Sequence, residues 1–188
     1  MRIFADDSVL EITYFTEAKM NNVCFIGHRK ITKTENLIKS LNETIEKLIT
    51  NDNASVFLFG SRSDFNDLCY EAVTTLKEKY PHIKRVFVRA EYPHISEDYR
   101  NYLLESYEDT YYSDKLLNAG RSVYVERNYD MIDKCAVCVF YYDENYLPNR
   151  RMRSKKDLFD YQPKSGTGLA YNYAVQKKKQ IINLFEKI

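Results

Sequence analysis

The chain has 188 residues, 44% hydrophobic and 29% charged, which suits one domain with a real core and is too apolar for a disordered chain. Lysine and arginine number 28 against 27 acidic residues, a formal net charge of +1, so no global field draws the protein to nucleic acid or an anionic membrane. No apolar run approaches the ~18 residues that span a bilayer, and the start MRIFADDSVLEITYF lacks the apolar stretch of a secretion signal. A cytoplasmic protein without a membrane partner is the expectation.

Residues 1–20 read as an N-terminal arm or short hairpin, and 21–188 as one domain. Near-continuous apolar runs follow at Val23–Ile26, Val56–Phe59, Val86–Val88, Ala136–Tyr141 and Ile181–Phe185. Such runs suit strands buried on both faces. Between them, Thr34–Ile49 sets Leu37, Ile38, Leu41, Ile45 and Leu48 on one stripe, and Phe65–Tyr80 repeats the pattern with Phe65, Leu68, Cys69, Ala72, Val73 and Leu76. Further helices are predicted over Val125–Lys134 and Thr167–Lys178. Alternating strands and helices predict an α/β, Rossmann-like three-layer domain with a mainly parallel sheet and helices on both faces. The segment 143–165, with Pro148, Pro163 and the basic run 149–156, has no apolar period and reads as a long loop.

Cys135 and Cys138 form a CxxC inside an apolar run, where strand alternation would send them to opposite faces. Without a second such pair they read as buried small hydrophobes, and no metal is expected.

The chain has only five glycines, and their placement carries most of the functional signal. Gly27 ends the first core strand, Gly60 the second, and Gly166 and Gly168 open the last helix. In open α/β sheets ligands bind beyond the carboxyl ends of the strands, where glycine lets backbone N–H groups approach an anion. Polar side chains fill the same turns: His28 and Arg29 after Gly27, Ser61 and Arg62 after Gly60, and Ser165 and Thr167 around Gly166. Arginine suits bidentate recognition of phosphate, and Ser63 or Asp64 is placed to cap the following helix. Neither a P-loop nor a full dinucleotide fingerprint is present. Glu126 and Asp130, four apart on a predicted helix, share a face and offer paired carboxylates for general acid–base or nucleophilic chemistry, with a solvated helix face as the plainer alternative. His28 suits a general base or a donor to a ligand phosphate. Phe140 or Tyr141, at a strand end, would approach a base.

The stretches CFIGHRK (24–30), FLFGSRSDFNDLCYEAV (57–73), VYVERNYDMIDKCAVCVFYYD (123–143) and SGTGLAYNYAVQKKKQIINL (165–184) together resemble the SLOG superfamily. This Rossmann-like group includes the LOG nucleotide phosphoribohydrolases and the core of DNA-processing protein A, and the chain looks most like its YpsA-like branch. The resemblance implies a nucleotide or nucleotide-derived ligand at the carboxyl edge of the sheet, held around Gly27, Arg29, Gly60, Arg127, Gly166 and Thr167. Two departures bear on turnover. Glu126-Arg127-Asn128 stands at the ERK-type motif of the LOG hydrolases, and Ala170 stands where their PGGxGTxxE motif carries the catalytic glutamate.

The first reading is therefore a nucleotide-binding sensor or signalling module, with no further cofactor implied. The second is an N-glycoside hydrolase or deoxyribosyltransferase-like enzyme using Glu126 or Asp130. The third is a nucleic-acid-binding module using the basic loop. By likeness to related Rossmannoids, a homodimer is also expected.

Overall fold

The computed structural model describes residues 21–60, 62–146 and 165–185. The N-terminal arm, Ser61 and the basic run 149–156 lie outside the described residues, as does the side chain of Arg121. The elements alternate: β1 (Asn22–Gly27), α1 (Glu35–Asn51), β2 (Val56–Phe59), α2 (Asp64–Lys79), β3 (Lys84–Arg89), α3 (Glu97–Leu104), β4 (Asp109–Tyr112), α4 (Val123–Asp133), β5 (Val137–Tyr141), α5 (Gly166–Gln176) and β6 (Gln180–Asn183). Short 3₁₀ turns at Asp114–Leu116 and Gly120–Ser122 lead into α4. The six strands form one sheet in the order β4-β3-β2-β1-β5-β6, and every neighbouring pair is parallel. This is the Rossmann-like α/β arrangement expected from the alternation of runs.

Each face of the sheet has its own apolar layer. Phe25, Phe57 and Phe59 point to the side covered by Leu41 and Ile45 of α1 and Phe65 and Val73 of α2. Cys24, Ile26, Leu58, Val86 and Phe140 point to the other side, under Met131 and Ile132 of α4 and Ala170 and Ala174 of α5. Phe25 stacks on Phe57 with ring centroids 5.9 Å apart, so the first layer gains aromatic contact as well as burial. Hydroxyl caps fix the starts of four helices: Thr34 Oγ1 accepts from Leu37 N–H, Ser63 Oγ from Asn66 N–H, Ser96 Oγ from Tyr99 N–H and Ser165 Oγ from Gly168 N–H. Of the two candidate caps for α2, Ser63 takes the role.

Three details depart from the sequence reading. Strand β4 is only DTYY, without an aliphatic residue, and it pairs because Tyr107 and Tyr111 just before and within it bury their rings. Cys135 precedes the first residue of β5, so strand alternation does not apply. Cys135 and Cys138 both lie in the α4/α5 layer with Cys24, and all four cysteines are buried and free. Phe140 is likewise sealed in that layer, edge-on to Tyr171, and cannot reach a ligand. Among the described residues no helix is long and apolar enough to cross a membrane, and no group of three or more candidate ligands is set to hold a metal ion.

Candidate functional site

The strand order places the topological switch between β1 and β5, because the chain runs outward from β1 through β2, β3 and β4 before returning to β5. At the carboxyl ends there, His28 is only 1% exposed. Its backbone N–H donates to the Tyr141 carbonyl at 3.3 Å, and its ring Nε2 accepts the Asp143 N–H at 2.9 Å. A neutral imidazole accepting at Nε2 carries its proton on Nδ1, and that atom is buried without a partner. The ring stacks on Tyr146 at 3.9 Å, and burial lowers its pKa, against a smaller opposing pull from Asp143. His28 is thus a buried tie between β1 and the segment after β5. Gly27 is dictated by packing: a Cβ there would overlap the Phe65 ring.

One strand over, β2 ends at Gly60. A Cβ on Gly60 would lie 2.7 Å from Arg127 Cδ and Nε and from Met131 Sδ. The glycine lets α4 lay Arg127 directly across the strand end. Arg127 is 3% exposed, and Nε donates to Asn128 Oδ1 at 3.1 Å, but no carboxylate pairs with it among the described residues. Burial without a counter-charge pushes its pKa down to about 10. Isolating a guanidinium from water costs several kcal/mol unless an anion compensates it.

Asn66 locks the other side of this strand end. Its Nδ2 donates to the Phe25 carbonyl at 3.3 Å and its Oδ1 accepts the Gly60 N–H at 3.4 Å, bridging the ends of β1 and β2. Arg29 and Arg62 stand exposed on the turns after β1 and β2, and Arg29 contributes its carbonyl to the Asp64 N–H at 3.0 Å. At α5, Ser165 Oγ is committed to its cap, Thr167 is buried, and Gly166 is exposed with no described residue against it. Within the first turn of α5 the Gly168 N–H is taken by the cap, and Gly166 is the exposed residue.

The proposed carboxylate pair is divided. Asp130 is buried and held by Ser113 Oγ at 2.7 Å, Lys134 Nζ at 2.9 Å and Tyr111 O–H at 3.1 Å, a network that ties α4 to β4. Glu126 is half-buried one turn earlier. Ala170 is sealed in the core on α5, so no glutamate side chain emerges from that helix turn. Lys179 Nζ, after α5, donates to the carbonyls of Asp133 and Cys135 at the end of α4, at 3.0 and 2.7 Å.

Sequence reasoning overlooked Asn66 and Arg89. Asn66 is the third residue after a Ser cap on a glycine turn, and Arg89 ends an apolar run, the position where Gly27 and Gly60 drew notice. Cavities open at the opposite, amino edge, the larger about 350 Å³ and lined by Asn22, Val56, Lys84, Val86, Asp109 and Tyr111 among others. None of its lining residues belongs to the constellation read from the sequence. No protein-family model and no curated protein matches the chain.

Proposed function

We propose that this protein binds a nucleotide or nucleotide-derived ligand at the carboxyl edge of its sheet, as a sensor or signalling module. The observation that carries the reading is Arg127, a guanidinium 3% exposed, laid over Gly60 and lacking a carboxylate partner among the described residues. A phosphate is the anion a planar five-donor fork accommodates best. Arg29 and Arg62 add charge from the neighbouring turns, and the exposed Gly166 at the start of α5 adds a backbone donor. The likeness of these turns to the SLOG superfamily supports a nucleotide over a bare anion. Binding without turnover is favoured because Asp130 is occupied by three partners and Ala170 replaces a carboxylate.

Titration calorimetry against a panel of ribonucleoside and deoxyribonucleoside phosphates, with pyrophosphate included, tests the reading. Arg127→Met keeps the stem and removes the charge. It should weaken binding roughly 30-fold or more, as expected when one partner of a desolvated charge pair is removed, while leaving the free protein as stable as before or more so. A panel with no binder, or binding indifferent to Arg127→Met, would overturn the proposal.

A further inference from the structure

Beyond Arg127 the edge continues onto the turn after β3, and this turn is unusual. Tyr92 has φ = 57°, in the left-handed region that bulky side chains seldom enter. Arg89, the last residue of β3, holds it there: its Nη1 donates to the carbonyls of Tyr92 at 2.8 Å and Pro93 at 3.4 Å. The strained turn leaves Tyr92 65% exposed and sets Glu91 against α4, where the Tyr124 hydroxyl donates to the Glu91 carboxylate. Tyr124 is itself 51% exposed, and the Arg127 guanidinium carbon lies 6.0 Å from its ring centroid. Backbone strain of this kind persists where the surrounding structure over-determines it, and it clusters at ligand sites.

Arg127, Tyr124, Glu91 and Tyr92 therefore form a continuous run of cation, aromatic ring, carboxylate and aromatic ring. We infer that the Glu91–Tyr92 turn with Tyr124 is the nucleoside-reading half of the site, making the preferred ligand a ribonucleotide; the inference rests on the phosphate-binding reading of Arg127. Exposed tyrosine rings offer faces on which a base stacks. Glu91 forms no ion pair among the described residues, and its carboxylate keeps acceptor sites beyond the one Tyr124 uses. Such an acceptor matches the two O–H donors of a ribose, as acidic residues beyond a strand do in dinucleotide folds. A 2′-deoxy sugar leaves one acceptor contact unmade.

Calorimetry on the full chain with ribonucleoside 5′-phosphates, their 2′-deoxy counterparts and pyrophosphate separates the two halves. The ribose form should bind about 10- to 100-fold more tightly than the deoxy form, the range for a lost hydrogen bond to a charged group. Isosteric Glu91→Gln should shrink that ratio severalfold. Tyr92→Ala should weaken nucleotides and leave pyrophosphate unchanged. Equal ribose and deoxyribose affinities, unmoved by Glu91→Gln while Arg127→Met still weakens binding as above, would overturn the nucleoside-reading role and spare the phosphate site. Absence of any binder, or indifference to Arg127→Met, would remove both.

Discussion

Strand β3 carries an arginine at each end, and the two have opposite surroundings. Arg85, at the amino end, forks onto Glu108, with Nη2 at 2.7 Å from Oε1 and Nε at 3.2 Å from Oε2, and gives Nη1 to Thr74 Oγ1 at 2.8 Å. The Glu108 hydrogen bonds raise its pKa, outweighing burial. Arg89, four residues on and on the same face of the strand, has two backbone carbonyls and the Tyr112 ring beside it but no carboxylate among the described residues. Its Nε is buried with no hydrogen-bond partner among them, and burial lowers its pKa. Arg127, across the strand end, bonds Asn128 through Nε but likewise has no carboxylate partner among the described residues, and burial lowers its pKa too. The cation at the amino end of β3 is settled by a carboxylate, whereas Arg89 and Arg127 at the carboxyl edge have none among the described residues, so their charges contribute differently to the fold.

The largest expected effect breaks that comparison outright. Arg85→Met should cost about 2–3 kcal/mol in urea unfolding, because it removes the fork on Glu108 and the bond to Thr74, leaving the carboxylate only the backbone N–H of position 85 and Lys77 Nζ at 3.7 Å. Arg89→Met should fall within about 0.5 kcal/mol of wild type or be stabilising. Similar losses at both ends would mean Arg89 is as structural as Arg85. A smaller effect concerns the glycines. Gly60→Ala should destabilise by about 1–3 kcal/mol, since its Cβ meets Arg127 and Met131, whereas Gly166→Ala, with no described residue against it, should stay within about 0.5 kcal/mol. Melting curves of the two variants decide this.

The smallest effect separates the edges by pH. Burial lowers the His28 pKa below the ordinary 6.5, so the unfolded chain takes up that proton first. Its contribution is complete above pH 6.5 and is lost as pH falls toward the folded-state value. Burial tends to raise the Glu108 pKa, but Arg85 pulls it lower still, so the amino-edge loss begins only below 4.5. Melting temperatures between about pH 8 and pH 5 should decline for wild type and flatten for His28→Gln. An unchanged slope would show that His28 is not the titrating group.

The layered fold was legible because its five apolar runs and amphipathic helices are long enough to display a period. Strand β4 was not, since DTYY is held by tyrosine rings and by the neighbouring β3 rather than by its own apolar residues. The glycine turns do lie at the carboxyl ends of the strands, but at Gly27 and Gly60 the immediate demand is the approach of Phe65 and Arg127, which spacing alone does not reveal. His28 lay where the sequence put it, at the end of β1, yet its burial comes from Tyr146 and Asp143, more than a hundred residues later. Nothing local in GHRK anticipates that. Arg89 was invisible for a similar reason: what sets it apart is the lack of a carboxylate partner among the described residues, which no local pattern announces.

The position of β1, between β2 and β5, also bears on how the chain is made. A ribosome delivers β1 to β4 with α1, α2 and α3 before any of α4 exists, so the first sheet face can close early. The second cannot. Cys24, Ile26, Leu58, Val86 and Val88 stay bare until Met131 and Ile132 arrive, and one side of β1 keeps unpaired backbone groups until β5 follows. At ~5–20 residues per second that is several seconds with an apolar face and an open strand edge in water. Synthesis halted before α4 would release a four-stranded half-sheet with that exposed surface, the kind of species that chaperones capture.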